Sequence, residues 1–177
     1  MDRYRVPAEV VRPELCSGEF SFRAPVATAV PRRGTASMTE WVLPAHTNAR
    51  GFLFGGVVAS WIDIAGVAAA QRYARAPVVT VSIDRLHFIT PVRMGCLVLL
   101  EAHVSYVGRT SIEVEVLVDS EDTIAGNRER AVEAYVTYVA LDESGVPRPV
   151  PSFTPQTPAE LARHREAEKR RALRPAR

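Results

Sequence analysis

From Val57 to Ala70 the chain reads V-V-A-S-W-I-D-I-A-G-V-A-A-A, with Ser60 and Asp63 as its only polar residues. A helix that is apolar on nearly every side belongs inside a protein or a membrane. Spanning a bilayer takes about 20 uninterrupted apolar residues, and Asp63 falls in the middle of this run. The stretch therefore reads as a core helix carrying one acid. A carboxylate in that setting is costly to bury unless it is paired, hydrogen-bonded or protonated. Whatever this chain folds into must enclose the helix and provide for Asp63.

The helix is expected from about Gly56 to Tyr73, about 27 Å at 1.5 Å per residue, with Pro77 ending it. Before it, Met38 to Leu43 forms a first strand closed by Pro44. His46 to Gly56 carries three glycines without helical period and reads as a loop. Beyond Pro77 the period falls to two. Val78 to Phe88 or Ile89 is a strand closed by Thr90-Pro91. Leu97 to Val107 is the next, and Gly108-Arg109 is a turn. Ile112, Val114, Val116 and Val118 alternate with Glu113, Glu115 and Leu117 in a half-buried strand, apolar side in and polar side out with Leu117 as the one exception. A polar loop is expected over Ser120 to Arg130, and Ala131 to Leu141 makes the last strand.

One strand, one long helix and four strands joined without further helices predict an α+β fold. Its antiparallel sheet of about five strands curls around the buried helix. Residues 1–36, with Pro7, Pro13, Pro25, Pro31 and Gly34, read as an irregular arm, and residues 37–151 as the domain proper. In 152–177, Thr157-Pro158-Ala159-Glu160 fits a capping box with proline at the first helical position. The basic helix that follows, with Arg163, Arg165, Lys169, Arg170 and Arg171, reads as a solvated tail in preference to an anionic-ligand site.

Several function classes drop out here. Among 177 residues, 47% are hydrophobic and 24% charged, which suits one globular domain. A net charge of +2 gives no footing for a nucleic-acid partner. Cys16 and Cys96 are far apart, with no C-x-x-C and no histidine cluster, which argues against a zinc site or a disulfide scaffold. A reducing cytoplasm is the expectation. Asp2, Arg3 and Arg5 stand where a secretory signal would need an apolar run.

Three features could carry chemistry. Ala59, Ser60, Gly66 and Val67 surround Asp63 at helical spacing, a face small enough for a backbone or a slender ligand to approach the carboxylate. The plainer alternative is an acid that hydrogen-bonds a loop amide. Gly55-Gly56 opens the helix, where unpartnered amides and the helix dipole could hold a developing oxyanion, or where a tight entry turn simply needs glycine. Asn48, in the loop, could hold a carbonyl or a water without changing charge, or cap a turn. His46 has no nucleophile to partner, since neither G-x-S-x-G nor H-E-x-x-H occurs. His87 and His103 fall within strands and read as structural.

The string H-T-N-A-R-G-F-L-F-G-G, Asp63 seven residues after Gly56, then V-V-T-V, F-I-T-P-V, G-R-T-S and E-A-Y-V-T-Y-V-A-L-D resemble the hot-dog-fold acyl-CoA thioesterases. Within these, the chain is most similar to the bacterial and mammalian cytosolic acyl-CoA hydrolases, from about Met38 to Pro151. The resemblance implies a sheet wrapped around the helix and two such units paired as a double hot dog. It also implies assembly of dimers into a hexamer, a trimer of dimers. Asn48 of one subunit would meet Asp63 of the other, with Asp63 as general base or nucleophile. Asn48 would position water or thioester, and the Gly56 amide would polarise the carbonyl. CoA would lie against Gly55, along Val79, Thr80, Val81, Ser82 and Arg85, and near Gly108, Arg109, Thr110 and Ser111.

The expected function is hydrolysis of acyl-CoA to free CoA and a carboxylic acid, with no metal and no cofactor beyond the CoA of the substrate. A hot-dog acyl-CoA hydratase or dehydratase is the enzymatic alternative, although it wants a histidine paired with an acid. A non-catalytic acyl-CoA sensor is the alternative of another class. Gly56 and Asp63 are separated by two helical turns, about 10.5 Å along the axis. They are too far apart to serve one thioester carbon, so a second subunit is expected to complete the site.

Overall fold

The computed structural model describes residues 34–173. In chain order the elements are β1 (Thr35–Trp41), a 3-10 turn (Pro44–His46), α1 (Gly55–Ala74), β2 (Val78–Phe88), β3 (Leu97–Val107), β4 (Ser111–Asp122), β5 (Asn127–Ala140) and α2 (Pro158–Ala172). The strands form one antiparallel sheet in the order β1-β3-β4-β5-β2. α1 packs against all five strands. The sheet wrapped around one helix is the architecture that the resemblance implies.

The core follows from two periodicities. On α1, Val58, Trp61, Ile62, Ala65, Ala69, Ala70 and Tyr73 are buried at spacings of three and four. On the sheet, Leu100, Ala102, Val114, Val116, Val118, Ala134 and Val136 face them from alternate positions. Within one chain the enclosure is incomplete: Ser60 is exposed, Asp63 half-buried, and Ile64 56% exposed. The open flank of α1 adjoins β2, an edge strand on which Val79, Val81 and Ile83 stay more than 40% exposed. An edge strand with unpaired backbone groups and apolar side chains is a template for pairing with another chain.

Several boundaries differ from expectation. β1 begins at Thr35, three residues early, and residues 1–33 of the expected N-terminal arm lie outside the described residues. The polar loop expected over Ser120 to Arg130 is instead the end of a long hairpin, with β4 running to Asp122 and β5 starting at Asn127. Its polar composition serves cross-strand pairing. Arg128 donates to Asp119 at 3.0 Å through Nε and Arg130 lies 2.9 Å from the same carboxylate.

The tail also corrects the sequence reading. α2 has the predicted capping box between Thr157 and Glu160, but it is docked rather than solvated. It lies on the outer face of the sheet, where Arg163 pairs with Glu115 at 2.9 Å and Arg170 with Glu113 at 2.7 Å. His164 stacks on Tyr106 with ring centroids 5.4 Å apart, and Arg170 sits 3.6 Å over the Tyr135 ring. Ala167 has no exposed surface. The polar side of β4 is therefore covered, and Glu113, expected outward in solvent, is only 4% exposed.

Candidate active site

Asp63 lies two turns into α1, over the edge of the sheet made by β5 and β2. Thr80 and Tyr138 are directly paired in the antiparallel register of those strands. Paired residues project to the same face, and here that face is the one turned to α1. Both hydroxyls consequently reach Asp63. Thr80 donates to Oδ1 at 2.7 Å. The Tyr138 hydroxyl stands 3.2 Å from Oδ1 and 3.2 Å from the Asp63 backbone carbonyl. Burial, then the adjacent Asp63 charge and hydrogen bond, push the Tyr138 hydroxyl well above the usual tyrosine range, so it remains protonated.

The small-residue face around Asp63 has a more specific purpose than access. Gly66 lies one turn on, and a Cβ there would collide with the Tyr138 hydroxyl and come within 2.9 Å of Cζ. Glycine at 66 is what admits the tyrosine from below. The resemblance implies a CoA contact for Thr80, whereas here its hydroxyl is hydrogen-bonded to Asp63. Nothing in a Val- and Tyr-rich strand signals which tyrosine ends beneath the acid.

Asn48 and the glycines occupy the other end of α1. The Asn48 side-chain oxygen accepts from the amides of Arg50 at 2.9 Å and Phe52 at 3.3 Å, which ties the loop upon itself. Phe54 caps α1 in extended conformation without a side-chain hydrogen bond. The first amides returning to it are those of Val57 and Val58. The Gly55 and Gly56 amides thus precede the first intrahelical bond. A Cβ on Gly56 would meet the Phe54 ring at 2.7 Å. Asn48 and Gly55 line a mostly apolar cavity of about 360 Å³ with Phe52, Val58, Phe88 and Val92.

The remaining residues expected against CoA divide by position. Gly108 closes the β3–β4 turn through its amide to the Ser111 carbonyl at 2.8 Å. Arg109 and Thr110 accept backbone bonds from Val150 and Ala140. Val79 and Ser111 flank Val139 on either side, so this turn and the start of β2 share one end of the sheet. Ser82 and Arg85 pair with Thr137 and Tyr135, and Val81 sits at a register slip between Thr80 and Ser82. The structure therefore joins Asp63 to Thr80, and Asn48 to Gly55, as two separate groups along α1. Among the described residues no three of His, Cys, Asp and Glu come together as metal ligands.

Comparison with known proteins gives a consistent picture. The thioesterase superfamily matches residues 50–126. An uncharacterised acyl-CoA thioester hydrolase of Bacillus subtilis, YkhA, is 40% identical over 75% of this chain and 77% of its own length. The mouse cytosolic acyl coenzyme A thioester hydrolase is 35% identical over 76% of this chain, which spans only 36% of that protein. Among solved structures, an apo-hexameric acyl-CoA thioesterase superposes with a TM-score of 0.74 at 40% identity, covering 80% of this chain and 96% of that one. The acyl-CoA hydrolase of Staphylococcus aureus, solved with butyryl-CoA and CoA, gives 0.73 at 32% identity over 79% and 88%. Variants of it carry alanine in place of an asparagine, an aspartate or a threonine.

Proposed function

The chain belongs to the hot-dog thioesterase superfamily, and on that footing we propose that it hydrolyses acyl-CoA to free CoA and a carboxylic acid. The observation that carries this reading is the setting of Asp63. The asparagine, aspartate and threonine replaced in the Staphylococcus aureus hydrolase stand 15 and 17 residues apart. Asn48, Asp63 and Thr80 have the same separations, and here the last two are hydrogen-bonded.

In the proposed reaction Asp63 takes a proton from the attacking water, or attacks the thioester itself to give a mixed anhydride that water then opens. The thioester oxygen receives the Gly56 amide at the helix end, Asn48 positions water or thioester, and the thiolate departs as free CoA. No metal or further cofactor takes part. CoA lies along Val79 to Arg85 and by Gly108 to Ser111, where Arg109 offers a cation to a phosphate.

Asn48 and Gly56 at one site come from a different chain than Asp63. This is supported by the two turns of α1 between them, by the open flank of that helix, and by the exposed apolar edge of β2. Pairing β2 with its two-fold mate would continue the sheet and cover Ile64. In this reading the dimer is the minimal active unit and three such dimers assemble further; the hexameric relative supports the hexamer. A cytoplasmic location accords with the mouse relative named cytosolic. No helix among the described residues is long and apolar enough to cross a membrane.

Release of free thiol from a panel of acyl-CoAs tests the activity. Turnover should fall by at least about 10²-fold in Asp63→Ala. No turnover in the parent protein, or full turnover in that variant, overturns the assignment. Oxygen-18 under single turnover separates the two routes: label found in Asp63 selects the anhydride.

A further inference from the structure

We propose that Tyr138 is a positioning residue for the reaction: together with Thr80 it fixes Oδ1 of Asp63, so that Oδ2 is the oxygen presented to water or thioester. The inference rests on the role given to Asp63 above and assigns a residue outside the asparagine, aspartate and threonine set.

Burying a tyrosine hydroxyl without a partner is costly. Tyr138 has no exposed surface and is the bulkiest fully buried side chain among the described residues. Its ring belongs to the buried core, with Ile112 opposite it on β4, and phenylalanine has nearly the same shape. The hydroxyl must therefore find a partner inside the fold. It finds two acceptors on one residue, the carbonyl and Oδ1 of Asp63, both at 3.2 Å. The approach requires Gly66, because any larger residue would put a Cβ against the hydroxyl. Two positions distant in sequence are thus committed to placing one oxygen under one carboxylate.

The placement has a chemical consequence. A carboxylate has two oxygens, each able to accept two hydrogen bonds. Thr80 and Tyr138 both address Oδ1, which fixes the rotation of the group about its last bond and leaves Oδ2 outside both hydrogen bonds. The phenol is kept protonated by its burial, so it remains a neutral donor while Asp63 changes state. A donor to a carboxylate favours the charged form, the form that a base or nucleophile needs.

Tyr138→Phe keeps the ring and removes the hydroxyl. In the full-length protein kcat should fall about 10-fold, a tenth of the rate for one lost charge-assisted hydrogen bond, with KM for acyl-CoA held within about twofold. The acid limb of the kcat/KM profile should move to higher pH, since the charged form has lost a donor. A fluorotyrosine placed at 138 by amber suppression covers the case in which phenylalanine perturbs folding. Its more acidic phenol is a stronger donor and should move the same limb to lower pH. A lower melting temperature in Tyr138→Phe with kcat and the limb unmoved would make the hydroxyl a structural tie between β5 and α1 and overturn the proposal. Asp63→Asn separates the failures. Activity retained there removes Asp63 from the reaction and overturns both readings. Activity lost there, with an unmoved limb in both Tyr138 variants, overturns the positioning role alone.

Discussion

The Thr80 hydroxyl donates to Asp63 Oδ1 at 2.7 Å, and the register of β2 against β5 slips at the very next residue. A bulge bends a strand and re-aims its side chains. This one leaves Thr80 turned toward α1, while Ser82 pairs with Thr137 on the other face. The edge of the sheet is shaped to bring a hydroxyl to the acid. Thr80→Val retains the branched shape and strand preference and removes only the donor, so kcat should drop by about 10-fold or more, the scale of a lost hydrogen bond to a charge. Thr80→Ser should recover most of it. Equal rates for valine and serine in the thiol-release assay would mean that Thr80 serves the strand and not the carboxylate.

At Gly66 the usual sign of a glycine-to-alanine change in a helix should reverse. In an ordinary helix interior, Gly→Ala stabilises by about 1 kcal/mol. Here the new Cβ would collide with the Tyr138 hydroxyl and sit 3.1 Å from Cε2. Neither the helix backbone nor a fully buried ring can yield freely. Overpacking of this kind costs about 1–3 kcal/mol, so Gly66→Ala should lower the melting temperature and the turnover together. Gly66→Ala combined with Tyr138→Phe should regain stability relative to Gly66→Ala alone, because the closest clashing atom is gone. Thermal unfolding of the three variants checks both statements.

Two ion pairs on α2 should differ widely in worth. Arg170 pairs with Glu113 at 2.7 Å against a carboxylate with almost no exposure, and the same oxygen also accepts from Ser105 at 2.9 Å. Removing one member of a buried pair costs about 3–5 kcal/mol. Arg170 is itself about a quarter exposed and the Ser105 bond persists, so Arg170→Met should cost about 2–3 kcal/mol. Lys169 and Glu166 are paired at the same distance, 2.7 Å, but with 71% and 60% of their side chains exposed. Lys169→Met should leave the denaturation midpoint close to that of the parent protein, since solvent screens so exposed a pair. Similar denaturation midpoints for the two variants would show that the tail does not bind the sheet through Glu113.

The contrast explains what could and could not be read in the sequence. The fold was legible because period 3.6 gave way to period 2 at Pro77, and because Val57 to Ala70 could only be a core helix. Asn48, Gly56 and Asp63 stand out as candidates because each departs from its surroundings: an amide in a glycine loop, glycines at a helix start, an acid in an apolar run. Tyr138 departs from nothing. A tyrosine in a strand of valines is ordinary, and only the register that pairs it with Thr80 beneath Asp63 gives it a role. α2 was misread for a related reason. Arginines at Arg163 and Arg170 look solvated until Glu113 and Glu115, nearly fifty residues or more away, are seen to need them. The hairpin over Ser120 to Arg130 was misread as a loop because cross-strand charge pairs and loop polarity have the same composition.

If Asn48 and Asp63 of one active site belong to different subunits, Asn48→Ala and Asp63→Ala each abolish both sites of their own homodimer. Mixed dimers behave otherwise. One site receives both substitutions, and the other receives the intact Asn48 of one chain with the intact Asp63 of its partner. Half the sites in a mixed dimer are then whole. Random exchange makes half the dimers mixed, so an equimolar mixture of the two inactive variants should recover about a quarter of parental activity, as two-fold symmetry requires. The mixture is prepared by co-expression or by unfolding and refolding together, and thiol release is compared with each variant alone. Were Asn48 and Asp63 to act within one chain, no mixed dimer would hold an intact site and activity would stay at the level of the single variants. The spacing along α1, about 10.5 Å from Gly56 to Asp63, predicts the recovery.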